Sequence, residues 1–284
     1  MHVRVVTDSS TSVPDDYLIR LGIVEVPATV IFGQQSYLNK VELSLEEFYR
    51  RLLTSDKLPT TSQPTPRQFA DAYARLAAEG ADEIIVVCVS SQLSGTLSSA
   101  QIATQHAPVP VHVWDSQHAS MAAGWQAIAA AEMAQAGLDS RTILDRLASI
   151  RNRVHMAFLP ANLRYIIASG RVPKLRGTIG DLLNIKPILT TDGGRLEPLT
   201  QVRGQRRALA EMLDRMATML GDLPARIAVG HCNVPEEAAR FMEAVQARLH
   251  VVEAIIFDLG VVLATLGGPG LVGLTGYTLE GVKP

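Results

Sequence analysis

The sequence is most informative first in what it lacks. Two of its 284 residues are cysteine, and Cys88 and Cys232 each end an apolar run without any CxxC spacing. Neither a zinc site nor a disulfide framework follows from such a pair. There is no run of Lys and Arg, and the formal net charge is −2, so the electrostatic footprint of a nucleic-acid binder is missing. No G-x-x-x-x-G-K-[ST] provides a phosphate loop, and no G-x-G-x-x-G follows a strand to mark a dinucleotide site. No G-x-S-x-G elbow occurs, because Gln92 stands where its first glycine would be. No H-x-x-x-H or paired acidic motif points to a metal. The first residues read as a strand carrying Arg4 and Asp8, not as a signal peptide, which predicts a cytoplasmic protein.

One stretch, 259–279, has no charged side chain and is long enough to span a bilayer. Its glycines and Pro269 exclude a continuous membrane helix. It reads instead as buried strand, glycine turn, buried strand.

What is present is an ordinary globular composition, 47% hydrophobic and 19% charged. Strands and helices alternate. A strand at 2–7 leads through Asp8-Ser-Ser-Thr to a helix opened by Pro14, and 24–32 reads as one further strand. Ser44 and Glu47 form a capping-box signal for a helix at 45–53. The segment 59–66 is too rich in proline to be regular. Thr65 and Pro66 start a helix that reaches Gly80. Strands at 83–89 and 109–114 each end in a polar turn and are followed by a helix, and 140–151 closes this half. The order argues an open, mostly parallel sheet with helices on both faces, whose turns at Asp8, Ser90 and Asp115 share one edge. From Val154 the pattern changes to short helices, a helical piece at 179–183, a hairpin turned at Asp192-Gly-Gly194 and further α/β units. The fold expected is α/β with two α/β domains, an N-terminal one over 1–151 and a smaller C-terminal one over 152–284.

The chemistry-bearing residues gather on turns. Ser90 to Thr96 is a hydroxyl-rich strand-to-helix turn with Gly95 at its tightest point. It offers N–H groups, hydroxyls and a helix N-terminus to an anion. Ser94 as a simple helix cap is the plainer reading of the same residues. Thr60, Thr61 and Ser62 add hydroxyls on a proline-pinned loop. Such donors hold a carboxylate without performing acid–base chemistry. A triad from Ser94, His118 and Asp115 is conceivable, although Asp115 and His118 also suit a turn. The residues alone therefore leave open a serine hydrolase, a small-anion or phosphosugar enzyme, and a binding protein. Arg171 and Arg203, each beside a glycine, read either as solvated or as binding residues.

The ordered set of motifs resembles the DegV family. Those motifs are Thr7 to Ser10, Thr61 to Pro64, Ser90 to Thr96, Asp115-Ser116, Ser169 to Arg171, Leu183 to Pro187 before Asp192-Gly193, Val202 to Gly204, and Gly268 to Gly270. They extend over nearly the whole chain. The resemblance implies a lipid carrier without a catalytic site of its own. A long-chain fatty acid would be enclosed in an apolar tunnel closed by the C-terminal domain, and no further cofactor would be needed. It also implies a separate ATP-binding fatty acid kinase subunit as partner, with no nucleic acid and no stable membrane insertion. By similarity Thr61 and Ser94 hold the carboxylate with Ser62, Gly95 and Thr96 helping, while Arg171 and Arg203 face the partner or phosphoryl group. One departure stands out. Where the family often has His-Thr-Gly-Pro-Gly, this chain has Leu266-Gly-Gly-Pro-Gly270, and Leu266 cannot donate to a carboxylate or acyl phosphate, which bears on transfer chemistry and not on fatty-acid binding.

Overall fold

A computed structural model describes residues 2–55, 57–175 and 185–279. The expected helical piece at 179–183 lies outside them. In the first half, β1 (Val3–Asp8) leads to α1 (Asp15–Leu21) and β2 (Val24–Val26). A small sheet is then begun by β3 (Thr29–Phe32) and β4 (Gln35–Leu38), followed by α2 (Leu45–Thr54), β5 (Thr60–Ser62) and α3 (Pro66–Ala78). The half is completed by β6 (Glu83–Cys88), α4 (Thr96–Ala103), β7 (Val111–Asp115), α5 (Met121–Gln135) and α6 (Ser140–Arg151). The first sheet has the order β2-β1-β6-β7, all parallel. Its central strands are apolar on both faces because helices cover both. Val6, Ile84 and Val86 pack with α3 and α4, while Val5, Ile85 and Val87 face the core that holds α5 and α6.

The second half begins with β8 (Val154–Leu159) and α7 (Leu163–Ser169), then β9 (Ile185–Asp192) and β10 (Arg195–Arg203). It continues with α8 (Gln205–Leu220), β11 (Ala225–His231), α9 (Pro235–Arg248), β12 (Val251–Asp258), α10 (Gly260–Gly267) and β13 (Val272–Thr278). These strands form a mixed sheet of order β10-β9-β8-β13-β11-β12, in which β11 and β12 run parallel and the other pairs antiparallel. One side packs on α8 and α9; the other joins the core shared with α5, from Val3 to Tyr277.

Four local readings of the sequence are corrected. The run 24–32 is two strands, because Pro27, which has no N–H to donate, separates β2 from β3. The latter pairs antiparallel with β4 and β5 in a separate small sheet, so the proline-rich 59–66 does contain a strand. Residues 260–267, expected as strand, form helix α10. An apolar run without polar punctuation does not distinguish the two states. Here the Asp258 carboxylate accepts from the Gly260 N–H at 2.9 Å and supports the helix start. Ser44 does cap α2 by accepting from Glu47 N, but the Glu47 carboxylate turns to Arg50 and Arg51, so the box is not reciprocal. Among the described residues no helix is long and apolar enough to cross a membrane.

The turns at the carboxyl ends of β1, β6 and β7 do share one edge. Asp8, fully buried, ties two of them together: its carboxylate accepts from Ser10 N and from Val89 N, each at 2.8 Å. Burial pushes its pKa up, against the lowering effect of these N–H donors. The Ser90 turn reaches the second half, donating to the Gly194 carbonyl at 2.7 Å. Gly194 has φ +81°, and a Cβ there would stand 2.6 Å from Ser90 Oγ, so both conformation and close approach require glycine. Beside it, His118 Nδ1 lies 2.6 Å from Thr191 Oγ1.

Two outcomes are expected. Asp8→Asn leaves one buried N–H facing an amide instead of an acceptor and should lower unfolding free energy by about 2 kcal/mol; denaturant titration showing undiminished stability would contradict the tie. His118 is pushed down to about 4, chiefly by burial, so the folded state holds it neutral where the unfolded chain takes up a proton. Its contribution is complete above about pH 6.5 and is lost as pH falls towards 4, on the order of 3 kcal/mol in all. The stability difference between wild type and His118→Asn should therefore shrink across that window, and a pH-independent difference would refute it.

Candidate functional site

A cavity of about 380 Å³ lies where the turn edge of the parallel sheet meets the shared-core face of the mixed sheet. That volume is within the range usual for small-molecule sites, roughly 300–1,000 Å³. The polar lining comes from the first half. β5 brings Thr61 and Ser62, held in place because Val30 of β3 pairs with Thr61. The turn into α4 brings Ser94, Gly95 and Thr96. These five expected residues are thus in one wall. Ser10 and Ser120, from the turns after β1 and before α5, also line it.

Within this wall Ser94 is not the N-cap of α4. Gly95 takes that position with no side-chain cap. The Ser94 hydroxyl is 2.8 Å from Thr96 Oγ1 and accepts from Thr96 N at 3.3 Å, so the two hydroxyls form a pair. Gln63 joins the two halves of the polar wall. Its Nε2 donates to Ser99 Oγ at 3.2 Å, and its amide lies so close over Gly95 that a Cβ there would be 2.4 Å from Oε1. Gln63, which the sequence motifs do not single out within Thr61 to Pro64, thus packs on Gly95. Gln63 itself lines the cavity.

The remaining walls are apolar. β8 supplies Met156 and Phe158, β12 supplies Phe257, and α10 supplies Val262, Leu263 and Leu266. Leu266 therefore stands in the apolar wall, where its side chain offers no hydrogen bond. Arg171 is the positively charged side chain among the described lining residues. Its Nη1 donates to the Ser169 carbonyl at 2.5 Å, while Ser169 Oγ accepts from Arg171 N. It also borders an adjoining groove with Lys174, Arg195 and Glu197, in which Lys174 and Glu197 pair at 2.8 Å. Arg203 is elsewhere: it ends β10, is exposed, and does not line the cavity.

The three members of the conceivable triad each bond to other groups. Ser94 pairs with Thr96, Asp115 accepts from Ser91 Oγ at 2.5 Å and from Gln117 N, and His118 faces Thr191. The depressed pKa of His118 keeps it a poor proton acceptor near neutrality. No group of His, Cys, Asp and Glu suited to a metal occurs among the described residues.

Comparison with known proteins agrees with this architecture. A curated fatty acid-binding protein of Thermotoga maritima is 30% identical over 288 residues, covering 99% of both chains. The crystal structure of a DegV lipid-binding protein from Thermotoga maritima superposes with a TM-score of 0.91, at 29% identity over 99% of each chain. A DegV family protein from Thermus thermophilus, described for its fatty acid binding, gives 0.90 at 33% identity, covering 98% of this chain and all of that one. The model of the family described as "Uncharacterised protein, DegV family" matches residues 2–278. The chain belongs to the DegV family.

Proposed function

We propose that this protein binds a long-chain fatty acid, with the acyl chain in the cavity and the carboxylate against the Thr61–Ser94 wall. One observation carries the reading: the cavity is polar where β5 meets the turn into α4, and apolar along the mixed sheet and α10. An amphiphile with one anionic end matches that division. Each methylene moved from water into such a space contributes about 0.8 kcal/mol, so the chain supplies most of the affinity. The head needs compensation on leaving water. Hydroxyls of Thr61, Ser62, Ser94 and Thr96 are donors without a base among them, and Gly95 contributes its backbone. Relatives described as lipid- or fatty acid-binding support the same ligand class.

The reading extends to a non-catalytic carrier of the cytoplasm, consisting of domains 1–151 and 152–284, that presents its ligand to an ATP-dependent kinase subunit. The clamp's hydroxyls leave the carboxylate its charge and its nucleophilicity. Arg171, which borders both the cavity and the adjoining groove, is assigned to the phosphoryl group or the partner. Arg203, outside the cavity, is assigned to the partner surface.

Protein purified from a heterologous host should release fatty acids into organic solvent, detected by mass spectrometry. Finding none, together with no uptake by the delipidated protein, would exclude the function. Thr61→Ala combined with Ser94→Ala should weaken binding roughly a hundredfold, since two hydrogen bonds to a charged group are together worth about 3 kcal/mol. Unchanged affinity for a fatty acid would place the head group elsewhere.

A further inference from the structure

Strand β13 carries two interior glycines, Gly273 and Gly276. Glycine weakens a strand relative to alanine, because it loses more backbone freedom on folding and packs nothing. Packing explains Gly276, where a Cβ would stand 2.5 Å from Ile227 Cδ1 and 3.1 Å from the Arg226 carbonyl oxygen. It also explains Gly230, where a Cβ would lie 2.8 Å from Phe257 Cζ. Gly273 is different. Its φ is not in the left-handed region, and the nearest atoms to a Cβ are Phe158 Cβ at 3.4 Å and the Ala157 carbonyl oxygen at 3.8 Å. Those are ordinary contacts. Nothing in the protein's own packing requires the side chain to be missing.

The position faces the cavity. Leu271, Gly273 and Thr275 line it, while the alternate residues Val272 and Leu274 turn to the core against α8 and α9. Gly273 is paired with Phe158 of β8 on one side and Gly230 of β11 on the other, and Gly230 is in turn paired with Phe257 of β12. All four line the cavity. A row across the sheet thus reads Phe, Gly, Gly, Phe. Because the Phe257 ring lies over Gly230, the bare floor of this trough narrows to Gly273, about one strand spacing wide, ~4.8 Å. A slot of that width suits an unbranched methylene chain lying on the backbone.

We infer that Gly273 is the specificity-determining residue of the cavity: the ligand's chain passes directly over it, and the side chain at 273 sets how thick a chain is admitted. This rests on the fatty-acid reading above. The test uses the delipidated full chain with Gly273→Ala and Gly273→Val, measuring thermal unfolding without lipid and affinity for palmitate. Alanine should raise the lipid-free Tm by ~2 °C, since it restricts the unfolded chain and fits the folded one. The same substitution should weaken palmitate roughly tenfold, and valine roughly a hundredfold, by occupying the chain's path. Opposite signs for stability and binding are what a merely structural glycine would not give. A lowered lipid-free Tm in Gly273→Ala would return the glycine to the fold and overturn the inference. So would wild-type palmitate affinity in the alanine variant, which carries the test alone if the valine variant does not fold. Failure of the fatty-acid reading looks different: the wild type itself would bind no palmitate.

Discussion

The placement of the polar wall depends on one buried carboxylate. Asp8 ends β1 and accepts from the backbone on both sides of a gap, from its own turn at Ser10 and from Val89 at the end of β6. A carboxyl group so deep is costly to bury unless its oxygens find hydrogen-bond donors. The backbone supplies them, and this fixes the turns in return. From Val89 the chain enters Ser90, whose hydroxyl is given to Gly194, and then the hydroxyl pair Ser94–Thr96. From Ser10 the carbonyl accepts the Ser120 N–H at the start of α5. Three cavity-lining segments therefore take their positions from the end of a single strand.

The two sheets meet through contacts of contrasting kind. At the polar edge they are short and directional: Ser90 to Gly194, His118 to Thr191, and Arg195 to Gln92 at 3.2 Å. Elsewhere the meeting is apolar, and residues from Val3 to Tyr277 form one cluster that includes cavity-lining Phe158, Phe257 and Val262. Arg226 adds a charged strut, bonding Glu132 of α5 and Glu253 of β12. The cavity lies between these regimes, and its division into polar and apolar walls follows from that placement.

Much of this was legible in the sequence because local signals agreed with the fold. The helix at 140–151 has the bounds that its pattern predicts, and Thr65 with Gln68 forms a reciprocal cap on α3. What escaped depended on tertiary partners. Residues 260–267 are apolar on every side because every side is covered, so no periodicity marked them as helix. β5 exists because β3 is there to pair with it, which no proline count reveals. For the site, the motifs identified Thr61, Ser62 and the Ser94 turn, and the fold brings them into one wall. Gln63 was hidden because its importance lies in an approach to Gly95 across two loops. Arg203 shared a glycine neighbour with Arg171, yet sequence adjacency to glycine says nothing about which end of a strand meets a cavity.

The cavity walls are also walls of the shared core. A molecule filling that space therefore joins the folding equilibrium and does not merely rest on a finished surface. By linkage, a ligand at a hundredfold excess over its Kd adds about 2.7 kcal/mol to native stability, a sizeable share of what a domain possesses. Loaded and empty molecules would then differ in how often they open to proteases, so the abundance of this protein in a cell would follow the supply of its ligand without any dedicated regulator.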